Sequence, residues 1–312
     1  MNLLKTSGKV KNEGLESVDG GKYTPLMGSS WRVLVLIAGL VSLRVAGCQT
    51  VIGPDPTVEE SYLHVRPAWS PDGASIAFTG STPFPQGIYR VDTAGGSPVL
   101  LKSGEGIGVT WSPDSRWIAY SAFLRIYKMT SDGDSATLVA QTANDIRPSW
   151  SPDGGRIVYV NNGLKTVGVQ TGTIVSLIPY GDFPSWKGAD EIVFLAGLIP
   201  GRHEFQLYRL TTQDTEFIYR FSSVQEVRFT SINAAGTSLV FAAQRFDRTD
   251  YSQIYVFSLL DSSTVRLTVD AGDHPAWSPD GSHIVYTRPV AGDGGLWIMR
   301  ADGSQKRRLT QP

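Results

Sequence analysis

The sequence predicts an all-β chain, a six-bladed β-propeller of four-stranded antiparallel blades, and three observations predict it. A tryptophan-and-turn signature recurs at blade-sized intervals, each copy is followed by the same apolar strand pattern, and composition suits a turn-rich fold. The 312 residues include 33 Gly, 18 Pro and 8 Trp, with 41% hydrophobic and only 18% charged residues. Such a balance belongs to folded chains and not to disordered ones.

The signature is Ala68-Trp-Ser-Pro-Asp-Gly73, and it returns as Thr110-Trp-Ser-Pro-Asp-Ser115, Ser149-Trp-Ser-Pro-Asp-Gly154 and Ala276-Trp-Ser-Pro-Asp-Gly281. Two degenerate copies fill the gap, Ser185-Trp186-Lys187-Gly188 and Ser231-Ile232-Asn233-Ala234-Ala235-Gly236. With Trp69, Trp111, Trp150, Trp186, Ile232 and Trp277 as equivalents, the copies stand at blade-length spacing.

The turn has a local cause. Proline presets φ for the second position of a type I turn, aspartate suits the third, and glycine takes the left-handed conformation that completes the hairpin. Ser115 replaces that glycine in the second copy, at an expected cost on the order of 1 kcal/mol if it is left-handed.

A strand follows each turn, built on a branched, small, aromatic triplet: Ile76-Ala-Phe78, Ile118-Ala-Tyr120, Ile157-Val-Tyr159, Ile192-Val-Phe194, Leu239-Val-Phe241 and Ile284-Val-Tyr286. Alternation sends neighbouring side chains to opposite faces. Third strands are expected at Ile88–Val91, Ile126–Met129, Val167–Val169, Leu207–Leu210, Ile254–Phe257 and Leu296–Met299, and short fourth strands at segments such as Val265–Thr268 and Arg308–Thr310. Six such sheets must each bury two faces, and a ring around a channel does so without long exposed edges. How the ring closes is open at this point: blade six can pack on blade one, or residues 56–64 can add a strand.

The N-terminus reads differently. Val33 to Leu43 is an apolar run too short to span a bilayer and suited to the core of a signal peptide. It ends in Val45-Ala46-Gly47-Cys48, which resembles a bacterial lipobox, with the only cysteine as the lipidated residue. The expected division is a leader over 1–47, with Met27 as the true start, a lipid-anchored tether over 48–60 and the propeller over 61–312. Loss of the leader removes six basic and three acidic residues and takes the net charge from −1 to −4. That balance, with no basic run beyond Lys306-Arg307-Arg308, argues against nucleic acid as a partner. Gln49 after the cysteine implies outer-membrane sorting, facing the periplasm.

The repeat is similar to that of the TolB-like propellers, a WD40-related family with a PD40-type motif, over about Val65 to Thr310. The resemblance implies a cell-envelope lipoprotein that binds a protein or peptide, as TolB's propeller engages a peptidoglycan-associated lipoprotein. TolB carries an α/β domain before its propeller, and here a tether precedes the repeats. Related repeats also occur in oligogalacturonate lyases, which work with histidines and a divalent metal, so glycan binding or cleavage is the alternative. His64 and His274 keep that alternative open, although no third ligand is evident.

Enzymatic signatures are otherwise missing. There is no G-x-S-x-G elbow and no H-E-x-x-H; Gly104-Glu-Gly-Ile-Gly108 lacks the strand-to-helix setting of a phosphate loop, and Asp132-Gly133-Asp134 reads as a hairpin tip. No cofactor, catalytic residue or metal ligand is assigned. The motif tryptophans are expected to pack between blades, and the motif aspartates to serve their turns.

One constellation remains. By analogy with the family, the residues three and four before the motif tryptophan lie at one mouth of the channel. They are Val65/Arg66, Ile107/Gly108, Ile146/Arg147, Asp182/Phe183, Arg228/Phe229 and Asp273/His274. Arg66, Arg147, Asp182, Arg228, Asp273 and His274 then form either a polar binding site or a solvated rim with incidental ion pairs.

Overall fold

The computed structural model describes residues 64–80, 85–141, 144, 146–197, 203–221, 224–245, 251–290 and 294–310. Cys48, Met27, the leader and the tether lie outside them. The described residues form six four-stranded antiparallel sheets, each a meander of consecutive strands. They are blade 1 (64–103), blade 2 (107–140), blade 3 (146–178), blade 4 (182–220), blade 5 (224–266) and blade 6 (273–308).

The alternation of the triplet explains why the blades stack. In blade 1, Ile76 and Phe78 enter a core shared with Val285 and Leu296 of blade 6, whereas Ala77 enters one shared with Val109 and Ile118 of blade 2. The same division holds around the ring: the outer two residues of each triplet face the preceding blade and the middle one faces the next. Six cores result, one per junction. Among the described residues blade 6 packs against blade 1 and each sheet has its own four strands, and Arg307 Nη2 adds a hydrogen bond to the Thr93 carbonyl at 2.9 Å; residues 56–63, the other route considered for closure, lie outside the described residues.

The motif tryptophans face the preceding blade. Trp111 Nε1 donates to the Ala68 carbonyl and Trp186 Nε1 to that of Ser149, both at 3.0 Å. In the turns, Ser70 Oγ donates to Asp72 Oδ1 (2.5 Å), while the Ala74 and Ser75 amides donate to Asp72 Oδ1 and Ser70 Oγ. Ser112/Asp114, Ser151/Asp153 and Ser278/Asp280 make the same hydroxyl–carboxylate bond. Ser115 is left-handed (φ 60°), and its hydroxyl accepts the Asp72 amide of blade 1 at 3.1 Å, a bond glycine could not make.

Two strand expectations are corrected. The third strand of blade 3 is Leu164–Gly168, not Val167–Val169. Asn162 (φ 47°) and Gly163 (φ 114°) turn the chain at once after Val160, so pairing begins earlier. In blades 5 and 6 the fourth strands stop at Arg266 and Arg308. The following Leu267-Thr268 and Leu309-Thr310 are buried, and each threonine hydroxyl accepts the amide of the third strand's apolar residue, Ile254 or Leu296.

Blade 2 contains a further departure. Phe123 (φ 49°) and Leu124 (φ 60°) form a two-residue turn between the paired Ala122 and Arg125. Positive φ at both central residues is the type I′ geometry that Asn-Gly favours, and bulky residues there cost about 1–2 kcal/mol each.

Candidate site at the channel mouth

Every inner strand carries the same irregularity. Its pairing with the second strand skips the residues three and two before the motif position, as between Val65 and Ala68, Ile107 and Thr110, or Asp182 and Ser185. The skipped pair is a β-bulge, which bends the strand and re-aims a side chain. At its first position Arg66, Gly108, Arg147, Phe183 and His274 all have positive φ, between 48° and 65°. At its second, blades 1, 3, 4 and 6 have Pro67, Pro148, Pro184 and Pro275. Proline donates no hydrogen to a ladder and so belongs at such a bulge.

These bulges converge on one axial cavity of about 180 Å³, lined by Arg66, Gly108, Arg147, Phe183, Thr230 and His274 among others. Holding four large side chains left-handed is costly, and strain of this kind gathers at functional sites. The backbone is shared by the blades while the residue it presents changes from arginine to glycine, phenylalanine or histidine.

Arg147 Nη1 donates to both carboxylate oxygens of Asp182, at 2.5 and 2.6 Å, bridging blades 3 and 4. Its guanidinium also lies over the Phe183 ring, 4.2 Å from the centroid. Asp182 Oδ1 accepts the Phe183 amide at 2.8 Å, and the Thr230 hydroxyl of blade 5 donates to the Phe183 carbonyl at 2.9 Å. Burial pushes the Asp182 carboxyl above its ordinary range, against the pull of Arg147. Arg66 is pushed down to about 10, first by burial and then by the charge of Arg147, in excess of what Asp182 and Asp273 restore. Gly108 lies beside it: a Cβ there would be in ordinary contact with Arg66 Nη1 at 3.4 Å and with Arg147 Cα at 3.5 Å.

In blade 6, Asp273 Oδ1 accepts the His274 amide at 2.9 Å. The Thr287 hydroxyl donates to the Asp273 carbonyl (2.9 Å) and lies 3.1 Å from His274 Nδ1. With its one hydrogen committed to that carbonyl, Thr287 Oγ1 acts as the acceptor toward Nδ1, which carries the proton of this contact.

Of the residues expected at the mouth, Arg66, Arg147 and His274 line the cavity, Asp182 is buried behind Arg147, and Asp273 is half-buried beside His274. Arg228 pairs with Ala242 in blade 5 at the matching position, and its side chain lies outside the described residues, as does that of His64. Phe183 and Gly108 were not singled out as site residues, although the recurring proline one residue later marks the bulge.

No protein-family model matches the sequence. Among solved structures, TolB from Acinetobacter baumannii is similar with a TM-score of 0.61 and 18% identity, over 79% of this chain and 62% of that one, so this chain spans less than two thirds of its length. A putative TolB from Agrobacterium tumefaciens is similar at 0.61 and 20% identity, over 77% of this chain and 90% of that one. An oligogalacturonate lyase in complex with manganese is similar at 0.56 and 17% identity, over 80% and 78%. In fold, the chain is a TolB-like six-bladed β-propeller.

Proposed function

We propose that this chain is a non-catalytic binding module of the bacterial cell envelope, anchored through Cys48 and holding a protein or peptide partner at its channel mouth. The observation that carries this reading is the set of left-handed bulges that aim Arg66, Arg147, Phe183 and His274 at one axial cavity. Rigid strands supply the positions and the bulge residue supplies the chemistry, as a recognition site requires. The lipobox resemblance supports a membrane anchor, which three acyl chains would make stable, and Gln49 after the cysteine supports the outer membrane, facing the periplasm. The test is capture from envelope extract with protein lacking Cys48. Wild-type mouth residues should retain a partner that Arg66→Ala with Arg147→Ala loses; unchanged capture removes the mouth from the reading.

The likeness to an oligogalacturonate lyase supports a second reading, a propeller that binds or cleaves polysaccharide. Among the described residues no three His, Cys, Asp or Glu side chains are grouped to hold a metal, and a manganese-dependent site built on His274 would need His64 and a further ligand. Metal analysis of the purified protein with a lyase assay on pectic fragments separates the two readings.

A further inference from the structure

The end of the channel away from the mouth has a cavity of its own. Each inner strand starts at the mouth and ends on the motif tryptophan position, so the turns that follow stand together at the opposite end. There the motif tryptophans and prolines of blades 1, 2, 3 and 6, with Ile232 and Ala234 of blade 5, line an axial bowl of about 300 Å³. Pro71, Pro113, Pro152 and Ala234 are exposed on it. Ser151 and Ser278, which also line it, donate to the aspartates of their own turns, so the wall is mainly apolar. Its volume is at the low end of ligand pockets, which begin at about 300 Å³.

Two grooves run outward from the bowl along blade junctions. One, of about 420 Å³ between blades 6 and 1, shares Trp69 and Pro71 with the bowl and is lined by Asp72 and Asp280. The other, of about 320 Å³ between blades 2 and 3, shares Pro113 and Trp150 with it and is lined by Asp114 and Asp153. Cations stand in both, each with a contact inside the fold. In the first, Arg307 bonds the Thr93 carbonyl and His283 Nδ1 lies 2.7 Å from Ser282 Oγ; in the second, Lys128 lies over the Trp117 ring, 4.6 Å from its centroid.

The face around the bowl is acidic. Its loops, which join first to second and third to fourth strands, carry nine aspartates against Arg116, Lys187 and Lys306. Lys187 is paired with Glu191 at 2.8 Å, and Lys306 Nζ donates to the Gly303 carbonyl at 2.7 Å. The strand ends on this side add Arg156, Arg209, Arg300 and Arg307 against Asp92, Glu191 and Asp214, which leaves the excess of acid in place. Asp72, Asp114, Asp153 and Asp280 are all exposed, and the hydroxyl of the serine two residues before each holds its carboxyl below the ordinary range, so all four are ionised at neutral pH.

We propose that this face docks a basic, amphipathic polypeptide segment of a partner protein, with a large apolar side chain in the axial bowl and lysine or arginine side chains in the two grooves. The bowl selects an apolar group, because filling it removes proline and tryptophan surface from water. Charge complementarity selects the cations, and the same field repels nucleic acid and anionic lipid. Two acidic grooves that flank blades 1 and 2 suit several cations on one chain and not a single small cation. The surface lies at the other end of the channel from the mouth and stands independently of the reading given to the mouth.

A fluorescein-labelled peptide in which lysines flank a central tryptophan–leucine pair is the probe, compared with versions carrying glutamine for lysine or alanine for the apolar pair. Anisotropy with the full chain at low salt should show the first peptide binding at least tenfold more tightly than either of the others. Ala234 is an exposed turn residue on the bowl, so substitution there spares the core. Ala234→Lys should bind the probe at least fivefold more weakly than Ala234→Glu, a side chain of similar size and opposite charge, with matching Tm. Asp114→Asn with Asp153→Asn keeps the turn acceptors and should weaken the probe at least threefold. Equal binding of the lysine and glutamine peptides, equal binding of the apolar and alanine peptides, no binding of any, equal affinity in the two Ala234 variants, or indifference to the double asparagine change overturns the inference. Binding that is lost in Arg66→Ala with Arg147→Ala but kept in Ala234→Lys also overturns it, and seats the peptide at the mouth.

Discussion

Blades 1, 2, 3 and 6 keep the Trp-Ser-Pro-Asp signature and blades 4 and 5 do not, yet all six have four strands and the same bulge. In the first group a serine hydroxyl and an aspartate carboxylate divide the work, the two side chains accepting two successive turn amides. In blade 5 a single oxygen does both: Asn233 Oδ1 accepts the Thr237 and Ser238 amides at 2.9 and 3.0 Å, in the positions of Ala74 and Ser75. Blade 4 closes a shorter turn through the Lys187 amide on the Glu191 carbonyl at 2.9 Å and adds ion pairs around it, Lys187 Nζ on Glu191 Oε2 at 2.8 Å and Arg209 on Glu191 and Glu216. Where Ile232 stands in place of tryptophan, the core between blades 4 and 5 is filled by Phe205, Phe221, Phe241 and Phe257, with Phe205 edge-on to Phe221 (4.9 Å) and Phe241 (5.3 Å). The architecture asks for satisfied turn amides and a filled junction, and the repeat motif is one way of meeting both.

The comparison breaks most directly at that aromatic core. Phe205→Ala should cost about 3–5 kcal/mol in urea unfolding, since Phe205 is fully buried among rings that cannot close the void. A loss below about 1 kcal/mol would mean that another contact holds blades 4 and 5 together.

The next test is the turn of blade 5. Asn233→Ala strands two amides at once and should cost about 1–2 kcal/mol, more than removal of either partner in a serine–aspartate turn. Equal losses on urea titration would dismiss the idea that one side chain replaces two.

Acid separates the two kinds of turn by sign. The serine hydroxyl holds Asp72, Asp114, Asp153 and Asp280 below the ordinary carboxylate range, Asp280 at about 2. The native state therefore favours the ionised form; its contribution is full above the unfolded value near 3.8 and is lost as pH falls toward about 2. Asp280→Asn keeps an acceptor but does not titrate, so the urea midpoint should fall less steeply over that window than in wild type, and an unaltered slope would contradict the assignment.

The smallest effect is expected at Ser115→Gly. Relief of a left-handed residue, on the order of 1 kcal/mol, is offset by loss of the exposed bond to the Asp72 amide, so the change should stay within about 0.5 kcal/mol. A clear gain in Tm would show that the inter-blade bond contributes little.

Much of the fold was legible because its causes are local. Ser-Pro-Asp-Gly is turn chemistry, and the Ile-Ala-Phe type of triplet carries its two-faced burial in its own alternation. The third strand of blade 3 was misplaced because Asn162-Gly163, a short hairpin signal, was passed over in favour of the apolar Val167 and Val169. At the site, the mouth positions could be read by counting back from the tryptophans. Phe183 and Gly108 stood among those positions but were left out of the expected site, because that site was chosen on charge.

By itself, then, the sequence determined the number of blades, the order of their strands and the face each triplet residue buries, since turn preference and period-two alternation act over a few residues. Only the tertiary structure decided that Arg147 pairs with Asp182, that Arg66 lies beside Gly108, and that the bulges turn their side chains to one axis. Those are relations between different blades, set by closure of the ring and invisible to any rule that reads one repeat at a time.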